Sequence, residues 1–413
     1  MTDTMGSDTG RPEHVLVIWQ RFLPYHVARL GRLNEWLAST GWRLTAVEVA
    51  QQDRSYGFPV AEKGSGPFRR ITVFPGRSYH ELSARQVHRS VLGVLEQERP
   101  DVVFAPATPY PEGMAAVTHR RRSACKLILM DDAWEGSDLR GYLTRFAKRM
   151  IHRGVDGIFA PAPSHRSYFE KIGFPKEGIV YGVDAVDNDF YARQADSVLE
   201  SASAWRNRLY LPEDYFVYVG RLLPRKGLET LIEAYRGYRK KAGPAPWGLV
   251  LVGDGSHRDA VEALAKDLPG VLLTGARFGE ECCACYALAS AAVVPSLRDP
   301  WALVVNEAMA SGLPVLVSRG CGSARTLVRE AENGWTFRPG DAEELTVLMR
   351  RIAGLSRELR LAMGLRSQAI LADWGLDRFV NGVQRALQLS RRPAHGILPE
   401  LVTRFWKGHV RVN

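Results

Sequence analysis

Short apolar runs alternate with longer segments of mixed polarity along the whole chain. Runs of about four to eight apolar residues are typical of buried strands, and apolar positions that recur every three or four residues are typical of helices. Helices are predicted in this way at 26–38 and 80–98. Strands are predicted at 14–19, 43–49, 71–74, 101–105, 126–130, 157–160 and 178–181, and then at 215–219, 248–252, 271–273, 292–295 and 314–317. The alternation predicts parallel sheets joined by crossover helices.

The alternating pattern is long enough for more than one domain. At about 100–200 residues per domain, the 413 residues correspond to two or three domains. We predict an α/β fold with two doubly wound, Rossmann-like domains, at 1–195 and 206–389, that face each other across a cleft. The polar, turn-rich stretch 190–212 is the predicted linker, and 390–413 is a C-terminal tail. Ligands of such folds bind at the carboxyl ends of the strands.

The segment 298–320 (RDPWALVVNEAMASGLPVLVSRG) combines two acids with a predicted helix start. Asp299 and Glu307 stand eight positions apart around a short apolar turn. Backbone N–H groups in the first turn of a helix lack partners and attract anions such as a diphosphate. Acids that hold hydroxyl groups, beside amides that hold phosphate, meet the needs of a sugar nucleotide. A helix start with solvated acids is the alternative interpretation.

Two cations precede another predicted helix at 217–236 (VYVGRLLPRKGLETLIEAYR). An apolar strand ends at Gly220, Arg221 follows, and a loop with Lys226 leads into the helix. The predicted apolar stripe of that helix consists of Leu228, Leu231, Ile232 and Tyr235. Each cation alone is more often a solvated surface charge. In a strand–loop–helix unit, however, the pair indicates a site for a pyrophosphate.

Together these two segments resemble the nucleotide-sugar half of family 4 retaining glycosyltransferases of the two-domain GT-B type. The resemblance implies that Arg221 and Lys226 bind the donor diphosphate. It implies further that Glu307 contacts the ribose hydroxyls and Asp299 the donor hexose. These four residues are the predicted catalytic set. The resemblance assigns donor binding to the second domain and acceptor binding to the first.

The sugar end of this motif departs from the family pattern. The first acid is Asp299, where Glu is usual, and Trp301-Ala302 stands where Phe-Gly is usual. Both differences lie where the hexose is contacted, so they leave its identity open. The resemblance covers roughly residues 210–350.

The turn Gly253-Asp254-Gly255 follows a predicted strand and precedes a helix. It looks like half of a dinucleotide-binding fingerprint, but Arg258 stands where the third glycine belongs, which argues against NAD. In the resembling family this turn lies near the donor, and the loop at 274–278 holds the nucleobase. The resemblance therefore implies donor contacts from Gly220, Gly253, Asp254, Arg277, Phe278, Trp301, Ala302, Leu303 and Val304.

The family is generally held to react by front-face substitution, in which the departing diphosphate takes the proton of the incoming hydroxyl. Positioning and electrostatic stabilisation are then the contribution of the enzyme. Arg221 and Lys226 are accordingly predicted to offset the charge that builds on the leaving phosphate. No cofactor is expected, and the donor is expected to be a UDP- or GDP-sugar.

Acceptor-side residues are predicted at the carboxyl ends of strands in the first half. Tyr25 and His26 follow the first strand, where relatives often carry a glycine-rich turn, and Asp131, Asp132 and Glu135 follow a later one. His26 faces the cleft in one interpretation and is an ordinary first-turn residue in the other. The three acids bind acceptor hydroxyls or form a solvated turn. No metal is expected, because GT-B enzymes commonly act without a bound cation.

The cysteines are predicted to be reduced thiols of a cytoplasmic protein. The first thirteen residues are polar, and the apolar run 15–19 is too short for a signal core or a membrane span. Cys282, Cys283 and Cys285 lie close together in sequence. Because no second Cys pair or His pair completes four metal ligands, core packing is favoured there.

The net charge of +10 raises the question of acidic partners. Nucleic acid is not an expected partner, because the sequence shows no interleaved aromatic and basic platform. The basic tail 390–413 has an amphipathic pattern with Leu398, Leu401, Val402 and Phe405 on one face. Docking onto the first domain is the favoured interpretation. Peripheral association with an anionic membrane, at its inner face, is the alternative.

These observations predict a retaining hexosyltransferase that acts on a hydroxyl acceptor, with a glycolipid or polysaccharide intermediate as the expected acceptor. Two alternatives stay open. A sugar-nucleotide epimerase on the same scaffold would use acids such as those at 131–135. A non-catalytic nucleotide-sugar-binding homologue would explain the altered loop at 299–302.

Overall fold

The first of two parallel sheets is built by the first half of the chain. The computed structural model describes residues 13–52, 67–138, 141–390, 393 and 396–409. The strands of this sheet are β1 (His14–Trp19), β2 (Arg43–Gln52), β3 (Arg69–Ser78), β4 (Val102–Pro106), β5 (Lys126–Met130), β6 (Gly157–Ala160) and β7 (Ile179–Tyr181). Their order is β3-β2-β1-β4-β5-β6-β7, and every neighbouring pair is parallel.

Helices cover both faces of this sheet. They are α1 (Pro24–Ser39), α2 (Ala84–Glu98), α3 (Pro111–Arg122), α4 (Tyr142–His152) and α5 (Arg166–Lys171). The start of α2 is set by a capping box, in which the Ser83 hydroxyl accepts from the Gln86 amide and the Gln86 side chain accepts from the Ser83 amide. Val87, Val91 and Leu95, one turn apart, are its buried apolar face.

The predicted linker at 190–212 is largely helical. Two helices fill it, α6 (Asn188–Glu200) and α7 (Ala202–Leu209), and the predicted boundary at Ala195 falls inside α6. α6 packs on helices of the second domain. Ala195 and Val198 are its buried residues. Because only these two positions of α6 are buried, most of its sequence is polar and lacks the apolar periodicity that predicts a helix. The segment was therefore predicted to be a linker.

The second half of the chain builds the other parallel sheet. Its strands are β8 (Tyr215–Val219), β9 (Gly248–Val252), β10 (Val271–Gly275), β11 (Ala291–Val294), β12 (Val315–Ser318) and β13 (Gly334–Phe337). Their order is β10-β9-β8-β11-β12-β13. The edge strand β13 was not predicted, because its four residues include Gly334 and Thr336 and form no continuous apolar run.

The helices of the second domain are α8 (Leu228–Lys241), α9 (Arg258–Ala265), α10 (Gly279–Ala287), α11 (Leu303–Ala310), α12 (Ala324–Leu327), α13 (Ala342–Ala353) and α14 (Arg357–Leu371). The predicted apolar stripe of α8 is buried at all four positions. On α10, Cys283 and Cys285 are buried and Cys282 is partly buried, and all three are free thiols.

The chain then returns to the first domain. α15 (Leu376–Leu387) packs on α1, β6 and β7, although the predicted second domain extended to residue 389. Phe379 joins the first core, with its ring centroid 5.4 Å from that of Phe159. The two domains are thus tied together by two crossings of the chain, one before α6 and one before α15.

The described part of the tail also packs on the first domain. α16 (Ile397–Phe405) lies against α4 and α3. Trp406 Nε1 donates to the Thr108 carbonyl at 3.1 Å, and the His409 amide donates to the Pro109 carbonyl at 2.7 Å. The tail therefore covers the loop that follows β4.

Each sheet reverses its strand order once, between β1 and β4 in the first and between β8 and β11 in the second. Such switch points open a crevice at the carboxyl ends of the strands, where ligands of doubly wound folds bind. The loops after these four strands are therefore where functional side chains are expected.

Candidate active site

The loops after β8 and β11 are locked together at the switch point of the second sheet. The Leu297 amide donates to the Arg225 carbonyl at 2.9 Å. Gly227 has a φ of 70°, and a Cβ there would overlap the Pro295 carbonyl oxygen, so this approach requires glycine. The side chains predicted to contact phosphate and hexose are brought face to face as a result.

Lys226 and Asp299 form an ion pair in the cleft. Lys226 Nζ lies 2.6 Å from Asp299 Oδ2, and the side chains are only 13% and 9% exposed. Burial opposes ionisation of Asp299, yet the pKa of its carboxyl is lowered because Lys226 stabilises the charge. The Asp299 amide donates to the Gly320 carbonyl at 2.9 Å, and its carbonyl accepts from the Gly322 amide at 3.1 Å. The backbone thus fixes an ionised carboxylate against a cation.

Glu307 projects from α11 beside this pair. Its Oε2 accepts from the Tyr286 hydroxyl at 2.9 Å. Burial raises the pKa of Glu307, whereas hydrogen bonds from Tyr286 and Tyr191 and the charge of Lys226 act against that rise. The charge of Lys226 thus acts on both acids of the predicted motif, although it contacts Asp299 directly.

Arg221 belongs to the same neighbourhood. Its carbonyl accepts from the Tyr218 hydroxyl at 2.8 Å. Burial raises the pKa of Tyr218, Asp299 adds to the rise, and Arg221 and Arg225 oppose it. Because these charges act on one hydroxyl, Arg221 and Asp299 lie at the same end of β8. Lys226, Asp299 and Glu307 are therefore neighbours in the cleft, and Arg221 follows β8 at the same end of the sheet.

The predicted glycine turn supports this edge of the sheet. The Gly220 amide donates to the Val252 carbonyl at 3.0 Å, and the Gly253 amide donates to the Gly275 carbonyl at 2.9 Å. Both Gly220 and Gly253 have a φ of 151°, and a Cβ on Gly253 would overlap the Gly220 carbonyl oxygen. Asp254 accepts from the following amide at 2.7 Å, so its side chain shapes the turn.

The remaining predicted donor positions border the same edge. Arg277 Nη1 lies 3.1 Å from Glu281 Oε2, and Phe278 is half-buried just before α10. Leu303 and Val304 form the first turn of α11 and are half-buried. Amides in such a turn have no partner within the helix, which suits a phosphate.

The side chains of Trp301 and Ala302 are buried in the second domain and do not line the cleft. Trp301 is 2% exposed, its Nε1 donates to Asn306 Oδ1 at 2.9 Å, and its ring stacks on Trp374 with centroids 5.6 Å apart. Ala302 is buried with a φ of 74°. These two residues therefore shape the loop that carries Asp299, and their side chains leave little surface for a sugar.

Carboxylates of the first domain face this loop across the cleft. Asp131 is held by Lys148, with Nζ 2.6 Å from Oδ2. Asp132 keeps accessible surface, but the walls of the cleft enclose it. Burial and the charges of Asp184, Asp131 and Asp299 raise its pKa to about 8. Burial, together with Asp299, raises the pKa of Asp184 to about 6. The cleft thus holds acids from both domains within electrostatic reach of each other.

The start of α1 forms the other side of this acidic group. Arg29 is buried, its Nε donates to the Ala185 carbonyl at 2.7 Å, and its Nη2 lies 3.7 Å from Asp184 Oδ1. The Arg29 guanidinium stands over the Tyr25 ring, 5.0 Å from its centroid. The sequence does not distinguish Arg29, because it is one of two arginines in the predicted helix and its partners lie far along the chain.

His26 is a buried, neutral residue. Its Nδ1 accepts from the Leu23 amide at 3.2 Å, and its ring stacks on Trp19 with centroids 4.4 Å apart. Burial and the nearby Arg29 hold its pKa well below the usual value. The structure therefore supports the interpretation of His26 as a first-turn residue that closes the start of α1.

Glu135 does not join the cleft acids. It is exposed, and its Oε1 lies 2.7 Å from Lys171 Nζ. That hydrogen bond lowers its pKa. The structure thus brings together Asp131 and Asp132 and leaves the third predicted acid of this group on the outer surface.

Two side chains of the first domain hold the Asp299 loop directly. Trp134 Nε1 donates to the Asp299 carbonyl at 3.1 Å. His165 Nε2 lies 3.3 Å from the Pro300 carbonyl, and burial lowers the pKa of His165 to about 4, so the neutral ring donates. Sequence reasoning did not identify these contacts, since neither residue lies near residue 299 in the chain.

Among the described residues, no group of three or more His, Cys, Asp or Glu side chains is arranged to hold a metal ion. No helix in the same part of the chain combines the length and the apolar character needed to cross a bilayer.

Comparison with known proteins agrees with this geometry. The family model "Glycosyl transferase 4-like domain" matches residues 26–181, and "Glycosyl transferases group 1" matches residues 213–354. The first match spans most of one sheet, and the second covers the sheet with the Lys226–Asp299 pair.

Curated relatives include a sulfoquinovosyl transferase of Arabidopsis thaliana, 32% identical over 38% of this chain and 30% of that protein. A D-inositol 3-phosphate glycosyltransferase of Thermomonospora curvata is 27% identical over 64% of this chain and 65% of that protein. A GDP-mannose-dependent alpha-mannosyltransferase of Mycobacterium tuberculosis is 31% identical over 55% of each chain. The chain thus spans less than two thirds of the length of these relatives.

Solved structures match over nearly the whole chain. Sucrose-phosphate synthase of Thermosynechococcus elongatus superposes with a TM-score of 0.70 at 19% identity, over 91% of this chain and 98% of that one. Anabaena HepE, solved with UDP and glucose, gives a TM-score of 0.69 at 17% identity, over 91% and 99%. The predicted fold is therefore confirmed, and the chain combines a glycosyl transferase 4-like domain with a glycosyl transferases group 1 domain in the GT-B fold.

Proposed function

We propose that this enzyme transfers a hexose from a UDP- or GDP-sugar to a hydroxyl acceptor, with retention at the anomeric carbon. The observation that carries the proposal is the ion pair of Lys226 with Asp299, which has Glu307 beside it and carboxylates across the cleft. A fixed cation among hydroxyl-binding acids suits an activated sugar. The UDP and glucose in the HepE structure and the GDP-mannose in the name of the mycobacterial relative support the two donor classes.

Lys226 serves Asp299 and the donor at the same time. An ammonium group carries three N–H donors, so the bond to Asp299 leaves two for phosphate oxygens. Asp299 orients the ammonium, accepts from the Trp301 amide as well, and keeps a lone pair for a hydroxyl of the hexose. Arg221 and the first-turn amides of α11 add further donors to the diphosphate.

Glu307 binds the ribose in this proposal. The Tyr286 hydroxyl holds one oxygen at 2.9 Å and so fixes the rotamer. Tyr191 donates a further hydrogen bond to the carboxylate, and one of its remaining lone pairs accepts from a ribose hydroxyl. Because ribose is common to UDP and GDP, this contact does not select the base.

The reaction follows front-face substitution. The bond from the anomeric carbon to the phosphate oxygen breaks, and a bond to the acceptor oxygen forms on the same face. The leaving phosphate oxygen takes the proton of the acceptor hydroxyl, while Lys226 and Arg221 offset its charge. Asp132, whose pKa is about 8, is mostly protonated at neutral pH and hydrogen-bonds the acceptor without adding charge.

The acceptor is a glycolipid or polysaccharide intermediate, used in the cytoplasm. The name of one relative, a GDP-mannose-dependent alpha-(1-6)-phosphatidylinositol monomannoside mannosyltransferase of Mycobacterium tuberculosis, supports a lipid-linked acceptor; that protein is 26% identical over 57% of this chain. The epimerase and the non-catalytic homologue have no comparable support.

A nucleotide screen by thermal shift tests the donor half of the proposal. UDP or GDP, and the matching sugar nucleotide, should raise the melting temperature, since a ligand at 100 times its Kd stabilises by about 2.7 kcal/mol. Lys226→Met should abolish the shift, and Lys266→Met, at an exposed lysine of the same domain, should preserve it. NMR of the transfer product then reports its anomeric configuration. Inversion, or a shift that survives Lys226→Met, contradicts the proposal.

A further inference from the structure

Two neighbouring helices of the first domain expose large apolar side chains to solvent. They are α4 and α16, which pack against each other. The exposed side chains, between 45% and 92% accessible, are Tyr142, Leu143, Phe146, Ile397, Leu401 and Phe405. We refer to them together as the α4/α16 surface. Clustered exposed apolar side chains indicate a surface that binds something.

The exposure on α16 follows from how the helix is anchored. Val402 and Trp406 pack against the first core. Ile397, Leu401 and Phe405 recur every four residues and therefore share a single, opposite face. A tail that only needed to dock would carry polar residues on that outer face.

Positive charge surrounds these apolar side chains. Arg145 and Arg149 are exposed on α4, Arg153 is exposed just after its last residue, and Arg404 is exposed on α16. α4 contains no acid, and Glu400 is the acid of α16. A basic rim around apolar side chains is complementary to an anionic lipid surface, whose acyl region takes the apolar groups.

A shallow cavity lies next to α4. Its volume is about 470 Å³, and its lining includes Tyr142, Arg145, Phe146, Arg149 and Lys171. Aromatic rings beside guanidinium groups match the boundary between the headgroups and the acyl chains of a bilayer. Acids also line the cavity, and one of them, Glu135, is already paired with Lys171.

We propose that the α4/α16 surface docks this enzyme on an anionic membrane. The opposite face of α4 carries Lys148, which holds Asp131 at 2.6 Å, next to the cleft residue Asp132. The docking helix is therefore connected directly to the acceptor side of the cleft. The proposal deepens the proposed function, on which it rests for the identity of the acceptor; the docking itself does not depend on that function.

Co-sedimentation of the full chain with vesicles tests the docking. Binding should be strong to phosphatidylcholine mixed with phosphatidylglycerol, weak to phosphatidylcholine alone, and reduced by salt. Arg145→Glu with Arg149→Glu should weaken binding by at least about 25-fold, since each basic residue contributes roughly fivefold near an anionic surface. Phe146→Ser with Phe405→Ser, which removes two of the exposed rings, should abolish sedimentation.

Leu361→Ser with Leu365→Ser is the matched control, because these leucines are 57% and 67% exposed on α14 of the other domain. It should sediment like the unmodified chain. Equal binding to both vesicle types, or unchanged binding of the α4 and α16 variants, overturns the proposal. If the unmodified chain self-associates but does not bind vesicles, and the α4 and α16 variants no longer self-associate, the surface binds a second copy of the chain. That result also overturns the proposal.

Nucleotide thermal shifts on the same variants separate the two proposals. If the α4 and α16 variants keep the melting temperature and the nucleotide shift of the unmodified chain but lose vesicle binding, docking is a separate property of this surface. If vesicles bind and no nucleotide does, the proposed function fails while the docking stands.

Discussion

Lys226→Met should destabilise the protein and remove transfer, and its effect on stability should grow from acidic to neutral pH. The ion pair to Asp299 is short, 2.6 Å, and both side chains are largely buried. The substitution keeps the aliphatic stem and removes the charge. Asp299 then stays in the cleft without its cation, near Asp132 and Asp184.

The size of the effect lies between two limits. Removing one partner of a fully buried pair costs about 3–5 kcal/mol, whereas an exposed pair is worth about 0–1 kcal/mol. Since this pair borders the open cleft, we expect a loss of ~2 kcal/mol near neutral pH. For turnover we expect a fall of about 10²-fold or more, by analogy with the loss of an oxyanion donor.

The pH dependence follows from the pKa of Asp299. In the unmodified chain the pKa of Asp299 is lower in the folded state than in the unfolded state. The ionised carboxylate therefore stabilises the fold above the unfolded-state pKa, and this stabilisation is lost as pH falls through the folded-state pKa. Without Lys226, burial raises the folded-state pKa, and stability is lost as pH rises through that value. The difference between the two proteins therefore widens from about pH 4 towards neutrality.

Thermal unfolding at pH 5 and pH 7.5 measures this difference. Asp299→Asn and the double variant complete a double-mutant cycle, which isolates the coupling of the pair. Lys266→Met, at an exposed lysine, controls for the loss of one positive charge. Strictly additive single variants, or a loss of stability that is the same at both pH values, would refute the reasoning.

Three further predictions concern the same cleft. Glu307→Gln should weaken binding of a nucleoside diphosphate by roughly tenfold, the value of one charged hydrogen bond, and leave pyrophosphate binding unchanged in calorimetry. Gly253→Ala should cost at least about 3 kcal/mol in urea unfolding because of its φ and its clash with Gly220, whereas Gly93→Ala, in an open helical position, should be neutral or stabilising. The melting temperature of Asp132→Asn, minus that of the unmodified chain, should increase as the pH is raised from 4 to 8. The reason is that the raised pKa of Asp132 makes the unmodified chain lose stability as pH rises through about 8, whereas asparagine does not titrate. A difference in melting temperature that stays constant over this range contradicts that pKa.

Much of the fold was predictable because buried parallel strands are short apolar runs. The predicted bounds of β1, β5, β6, β8 and β9 agree with the structure to the residue. The ligand-side loops could be predicted as well, since Gly220, Arg221 and Lys226 follow β8 within a few residues. The local sequence was sufficient to predict these loop residues because they belong to a single strand–loop–helix unit.

What the sequence could not supply are contacts between distant segments. Trp134 and His165 reach the Asp299 loop across more than 130 positions. The return of α15 to the first sheet likewise depends on which core its apolar stripe meets. The inward packing of Trp301 on Trp374 has the same origin. Periodicity indicates that a face is buried and does not identify its partner.

The charges of the cleft constrain the acceptor as well as the donor. A diphosphate brings further negative charge to a site that already holds Asp299 and Glu307, with Asp132 and Asp184 opposite. Lys226, Arg221 and Arg29 offset part of it, and the raised pKa values of about 8 and about 6 allow the opposite acids to bind protons. An anionic group bound beside those acids would add repulsion in a partly desolvated cleft. We therefore expect the reacting end of the acceptor to offer uncharged hydroxyl groups, with any phosphate held farther away, towards the basic α4/α16 surface.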